Sequence, residues 1–154
     1  MSERKERGSR FWRYAPLIAW MILIAIFSTG ELSASNTSLI VRPLLLWLFP
    51  DISEAKIGIA HFVVRKTAHF TEYAIFAVFA LRAFTTSSHE RLRRGYFFIT
   101  LLLVSIFAFS DELHQSFVKT RTGSIYDSFI DIAGGLTVLL LYRWQSSRRE
   151  RTKP

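Results

Sequence analysis

The chain has 154 residues, half of them apolar, 15% aromatic and only 21% charged, with a formal net charge of +8. It contains no cysteine, which excludes disulfide frameworks, thiolate metal sites and cysteine nucleophiles. The length suits one domain, but charge is too sparse and apolar runs are too long for a typical soluble one, and the basic balance points to nucleic acid or a membrane surface.

Residues 1–13 form a basic N-tail carrying Arg4, Lys5, Arg7, Arg10 and Arg13. Tyr14 to Phe27, flanked by Phe11, Trp12 and Ser28, is apolar enough to predict a first span. It is at the long end for a signal peptide, and Phe27-Ser28-Thr29-Gly30-Glu31 is a poor cleavage site, so we read a retained helix. Ser33 to Ser38 is polar and reads as a loop. Leu39 to Phe49, bounded by Pro43 and Pro50, is too short to span and reads as an interfacial or re-entrant piece. Asp51 to Val64 reads as a short amphipathic helix on the surface. A second span starts near Lys66 and runs to about Phe84, and a basic connector with Ser87-Ser88 as its flexible middle covers 82–94. The third span starts near Tyr96 and continues to about Phe117, because no Gly or Pro breaks its polar outer end. Lys119 to Gly123 reads as a turn, Ser124 to Trp144 as the fourth span, and residues 145–154 as a basic C-tail. The expected fold is all-α and integral to the membrane: a domain over 14–144 with four transmembrane helices and a short amphipathic or re-entrant segment between the first and second.

Four spans put both termini on one side. The N-tail, the 82–94 connector and the C-tail together hold fourteen of the twenty Lys and Arg residues. The positive-inside rule makes that face cytoplasmic. The positive charge is therefore a topology signal with affinity for anionic lipid, and no RNP-like, helix-turn-helix or finger pattern points to nucleic acid.

The outer ends of spans two to four carry polar residues that an apolar helix does not call for. Lys66, His69, Glu72 and Tyr73 fall within roughly 120° of one helix face. Asp111 and Gln115 are one turn apart near the end of span three, as are Glu112 and Ser116, and Asp127 and Asp131 are one turn apart in span four. Ionisable groups inside a span cost at least ~2.5 kcal/mol each on insertion scales, so Lys66, His69, Glu72, Asp111, Glu112, Asp127 and Asp131 must pair or face a wet cavity. Bland readings stand beside this one. Ser124-x-x-Asp127 fits a capping box, and Arg65 reads as a snorkelling interfacial anchor. Gly134-Gly135 reads as a helix-packing site. His69 and His114 with Glu72 and Glu112 make a loose mixed donor set, but HExxH is absent, and no metal or other cofactor is expected from the sequence. Ser110 beside Asp111 lacks the elbow glycines of a serine nucleophile.

Three linked stretches resemble the VanZ-like family. Lys66-Thr67-Ala68-His69-Phe70-Thr71-Glu72-Tyr73 is similar to its K-x-x-H-F-x-E-Y motif, and Ser110-Asp111-Glu112-Leu113-His114-Gln115-Ser116-Phe117 to its S-D-E-x-x-Q-x-F motif. Arg121 to Asp127 resembles the R-x-G-x-x-x-D that follows, and Asp131 with Gly134 the N/D-x-x-G after it, Asp131 standing where many members carry Asn. The resemblance covers residues 10 to 144. It implies a small, multi-pass protein of the bacterial inner membrane and cell envelope. The family takes its name from an accessory protein that raises resistance to teicoplanin, a lipoglycopeptide antibiotic, without an established biochemical activity.

Two functions follow as expectations. In one, an outward-facing pocket binds or acts on the headgroup of a membrane lipid or a lipid-linked cell-wall precursor. His69, Glu72, Asp111 and Glu112 would then do the proton chemistry, while Lys66, Tyr73, Gln115, Arg121, Asp127 and Asp131 hold the ligand. In the other, the protein is a non-enzymatic membrane scaffold whose polar cluster ties helices together. Neither the sequence nor the resemblance fixes whether it is an enzyme, or its oligomeric state.

Overall fold

The computed structural model describes the backbone of residues 2–29, 34–118 and 123–151, and side chains over 11–29, 39–118, 123–149 and at Arg151. It is all-helical over those residues, with α1 (Ser2–Ser28), α2 (Ala34–Leu48), α3 (Glu54–Thr85), α4 (Glu90–Arg94), α5 (Tyr96–Ser116) and α6 (Ile125–Arg151). α1 runs back through the basic N-tail and α6 forward into the C-tail.

Two differences from the sequence reading lie before the second expected span. The stretch read as a loop is helical from Ala34, and Pro43 sits inside α2 instead of bounding it. Proline's fixed φ is compatible with a helix; what it removes is one hydrogen bond, and the apolar residues on either side keep the helix going. The surface helix expected over 51–64 and the span expected after it are one continuous helix, α3. Nothing between Ser53 and Lys66 breaks it: the only glycine there, Gly58, faces open space. Of the turn expected at Lys119 to Gly123, residues 119–122 lie outside the described residues, and so does Ser33.

Four helices pack up and down. Tyr14 Oη meets Ser87 Oγ at 2.9 Å, and Trp20 lies against Phe79 and donates its indole N–H to the Glu72 carbonyl, so α1 is antiparallel to α3. Phe76 of α3 meets Phe107 of α5, with ring centroids 5.2 Å apart. Tyr96, at the start of α5, stacks edge-on against Tyr142 near the end of α6, so these two are also antiparallel. α3 and α6 run parallel and share the largest interface. The core is Leu17 and Ile24 of α1, Tyr73, Phe76, Ala77, Ala80, Ala83 and Phe84 of α3, and Val104 and Ala108 of α5.

Small residues set the distances between helices. A methyl group at Gly134 would collide with the Phe70 carbonyl of α3, and one at Gly135 would meet the Val104 side chain of α5 at 2.8 Å. Two consecutive glycines therefore bring α6 against two neighbours at once, the packing role expected of them.

The outside is apolar. Ile18, Ile22, Phe98, Leu102, Ile106, Phe109, Phe129, Leu140, Leu141 and Trp144 are exposed large hydrophobic side chains. Among the described residues, three helices are long and apolar enough to cross a membrane: those containing Phe11–Ser28, Tyr96–Ser116 and Ile125–Arg149. α3 is longer than any of these, but Lys66, His69, Glu72 and Arg82 dilute its apolar run. Leu39–Leu48 is a shorter apolar helix.

Gly134→Val should force α3 and α6 apart. Overpacking of this kind costs about 1–3 kcal/mol, and a backbone oxygen yields less readily than a side chain. The thermal midpoint of the detergent-solubilised protein should fall, whereas Gly58→Ala should leave it within error.

Candidate functional site

The polar residues singled out in the sequence gather at the end of the bundle where α3 enters and α5 finishes. α6 is the element that collects them. Its first turns present Asp127, Ser128 and Asp131, all fully buried. Asp127 takes Lys66 Nζ on one oxygen and Arg65 Nη2 on the other, the latter at 3.2 Å. One turn further, Asp131 Oδ1 meets His69 Nδ1 at 3.1 Å. Ser128 donates its hydroxyl to the Ala108 carbonyl of α5 at 3.3 Å. The first two turns of α6 thus address two helices.

The capping box does not form as the sequence spacing suggests. Asp127 is turned toward α3, and the backbone N–H of Ser124 donates instead to Glu112 Oε2 of α5, at 2.6 Å. The orphan donor ahead of α6 is satisfied by a neighbouring helix, which releases Asp127 to hold two cations. Arg65 is not simply a snorkelling anchor: its guanidinium joins Lys66 on Asp127. Lys66 also lies 5.1 Å from the Phe62 ring centroid, a cation–π contact one turn earlier.

A second group lies deeper. His69, Asp111, Glu112 and Asp131 each offer a donor atom, and those atoms all lie within 4.8 Å of one another. His69, Glu112 and Asp131 are buried, and Asp111 is half-buried. Two ionised carboxylates at a separation of 4.8 Å repel by about 3 kcal/mol at an effective dielectric of about 20, so three of them facing one imidazole demand protons or a cation. Gln115 Nε2 donates to Asp111 Oδ2 at 2.9 Å along α5. Four oxygens around this group are buried without a hydrogen-bond partner among the described residues: Tyr73 Oη, Glu112 Oε1, Gln115 Oε1 and Asp131 Oδ2. Buried polar atoms in native proteins are nearly always paired with protein groups or ordered water, so a set of four sets this end of the bundle apart from its apolar core.

The structure therefore brings together Lys66, His69, Tyr73, Asp111, Glu112, Gln115, Asp127 and Asp131. Glu72 shares their helix but lines a different cleft, with Trp20, Phe27, Val63, Val64, Thr67, Ala68, Thr71 and Ile75. Arg121 lies outside the described residues. Of the donor set read from the sequence, only His69 and Glu112 stay together. His114 turns away to Ser28 Oγ, 2.8 Å from its Nδ1.

Ser28 and His114 border a cleft of about 310 Å³ between α1 and α5, completed by Ile24, Ala25, Phe107, Ser110 and Asp111. Its walls are mostly apolar and its polar groups stand at one end. Asp111 belongs to both this cleft and the buried quartet. The sequence reading missed Ser28, which looked like the flank of a span, and Ser128. Ser128 was visible in principle, because Ser124, Ser128 and Asp131 repeat at helical spacing on one face of α6.

An up-and-down helical bundle with an apolar outside and ionisable groups buried at one end defines a helical membrane protein with an internal polar site. The chain belongs to the VanZ-like family: the family model described as VanZ/LLP1 matches residues 11–146, nearly the whole bundle. No curated protein and no solved structure matches the chain.

Asp127→Ala would leave Lys66 and Arg65 facing a buried gap. Removing one member of a buried ion pair costs about 3–5 kcal/mol, and the remaining exposure of the two cations favours the lower end. The thermal midpoint should drop steeply, and adding Lys66→Met to Asp127→Ala should recover part of the loss. Equal midpoints for the single and double variants would show that Lys66 left without Asp127 carries no penalty.

Proposed function

We propose that the protein crosses the bacterial cytoplasmic membrane four times, with both termini inside, and binds the headgroup of a membrane lipid or lipid-linked cell-wall precursor at its outer face. The alternating helix directions support the fourth span. α3 lies beside α1, α5 and α6 through their apolar lengths, so residues 66–84 sit at the depth of the other spans. The Tyr14, Ser87, Tyr96 and Tyr142 end adjoins the three segments that concentrate Lys and Arg, which supports an inside location for it by the positive-inside rule. The polar quartet then faces outward.

The observation that carries the binding reading is the double position of Asp111. It closes the polar end of an α1–α5 cleft whose Ile24, Ala25 and Phe107 walls suit an acyl or prenyl chain, and it is also a member of the buried quartet. A lipid lying in the cleft would bring its headgroup to the quartet without leaving the bilayer plane. Such a site also offers a route to the family's link with teicoplanin, which is itself a lipid-bearing glycopeptide. His69, Asp111 and Glu112 would supply acid–base groups to any reaction there.

A second reading has its own support. Asp127 with Lys66 and Arg65, and Glu112 with Ser124, join separate helices, as a purely structural cluster would. Glu112→Gln separates the two. Glutamine keeps an acceptor for the Ser124 N–H but removes the charge. A headgroup site predicts a normally stable protein that has lost function; a scaffold predicts that abundance and phenotype fall together.

The direct test is intact-protein mass spectrometry after incubation with extracted envelope lipids. Wild type should retain a specific phospholipid or polyprenyl adduct, and Ala25→Trp, which fills the cleft from α1, should lose it while folding normally. A wild-type spectrum without selective adducts would refute lipid binding. Reporter fusions at both tails should read as cytoplasmic, and an external signal from either would overturn the four-span topology.

A further inference from the structure

We propose that His69, Asp111, Glu112 and Asp131 form a binding site for a divalent transition-metal ion, of which Mn2+ is the best matched. Four side chains from three helices, α3, α5 and α6, converge so that one donor atom of each lies within 4.8 Å of the others. Convergence from three helices is not the chance clustering of acidic groups along one surface.

The second observation is the set of unpartnered oxygens. Asp131 is fully buried and Glu112 nearly so, yet Asp131 Oδ2 and Glu112 Oε1 have no hydrogen-bond partner among the described residues. The other oxygen of each is used: Asp131 Oδ1 holds His69 Nδ1, and Glu112 Oε2 holds the Ser124 N–H. Each carboxylate is anchored by one arm and leaves the other for a ligand, the arrangement by which neighbouring hydrogen bonds orient metal-binding groups. Gln115 adds a neutral oxygen. Its amide nitrogen is fixed on Asp111 Oδ2, and its own Oε1 is buried without a partner.

Charge points the same way. Among the described residues at this end, the cations Lys66 and Arg65 are taken up by Asp127. A divalent ion would neutralise Asp111, Glu112 and Asp131 more completely than His69 can alone.

The donor chemistry narrows the ion. One imidazole and three carboxylates suit a borderline or hard divalent ion better than Cu(I), which prefers sulfur. Donor atoms spread over up to 4.8 Å fit six-coordination better than a tetrahedral site. Opposite donors of an octahedron with bonds of about 2.1 Å stand roughly 4.2 Å apart, whereas tetrahedral zinc draws its donors to about 3.4 Å. Six-coordination also leaves positions for water or a phosphate oxygen. With a headgroup in the adjoining cleft, that gives the site an anion-binding capacity that Lys66 and Arg65, engaged by Asp127, do not provide.

The test uses full-length protein in lipid nanodiscs, stripped with a chelator and titrated with MnCl2 alone. One equivalent of Mn2+ per chain, with nitrogen hyperfine coupling in the pulsed electron paramagnetic resonance spectrum, is the expected result. His69→Gln should abolish the nitrogen coupling, and Asp131→Asn should weaken binding at least tenfold. Both variants would be checked for monodispersity and thermal midpoint. Folded wild type that takes up no Mn2+, or binds it without nitrogen coupling, overturns the proposal, and so does binding unchanged in both variants. The wild-type measurements decide the matter even where a variant fails to fold. The metal site and the lipid reading fail separately: lipid adducts on protein that binds no Mn2+ remove only the metal, and Mn2+ binding without lipid adducts removes only the lipid.

Discussion

The bundle depends on one constraint: the charges carried by α3 must meet the charges carried by α6 inside an apolar envelope. An ionisable group that misses its partner by a turn is left buried and uncompensated, which no amount of aliphatic packing repairs. Asp127 with Lys66 and Arg65, and Asp131 with His69 one turn on, fix the axial register of the two helices. Gly134 and Gly135 then set how closely α6 approaches, one against the α3 backbone and the other against α5. Polar contacts choose the register and glycines choose the distance. Apolar side chains such as Phe76 and Val104 fill what is left. In a bilayer this division is natural, because the surrounding lipid is as apolar as a leucine and gives little reason for one helix to prefer another.

The same constraint explains what could be read from the sequence. α5 was legible almost to the residue and α6 at its start, since long apolar runs carry their own boundaries, but α6 continues past Trp144 to Arg151 through a stretch whose composition read as a tail. The convergence at the site was legible in outline: Lys66, His69, Asp111, Glu112, Asp127 and Asp131 are out of place in spans, and helical spacing puts them at one level. Partner choice was not legible. Helical periodicity places Glu72 beside His69, but a face spanning roughly 120° reaches two neighbours, and Glu72 serves the cleft bordered by α1. The capping spacing of Ser124 and Asp127 was equally compatible with a local bond, and the rival acceptor, Glu112, comes from a residue twelve positions earlier that no local pattern could nominate. The continuity of α3 was missed for the opposite reason. A change of composition at Lys66 looked like a boundary, although nothing in the backbone chemistry there stops a helix.

The site has two parts with different characters. Around Asp127 one buried carboxylate is held between two cations, Lys66 and Arg65. Around Asp111, Glu112 and Asp131 the arrangement is acidic, with oxygens that no donor among the described residues satisfies. Membership of the VanZ-like family is consistent with both, since each part draws on the motif residues of α3, α5 and α6.

The order of the helices along the chain has a consequence for biogenesis. Asp127, Asp131 and the Ser124 N–H all leave the ribosome after α3 and α5. Until they arrive, Lys66, His69 and Glu112 lack the partners they hold in the folded protein, and α3 and α5 cannot complete the site between themselves. A chain stopped before α6 therefore carries the motif residues of α3 and α5 without the carboxylates that join them to a third helix.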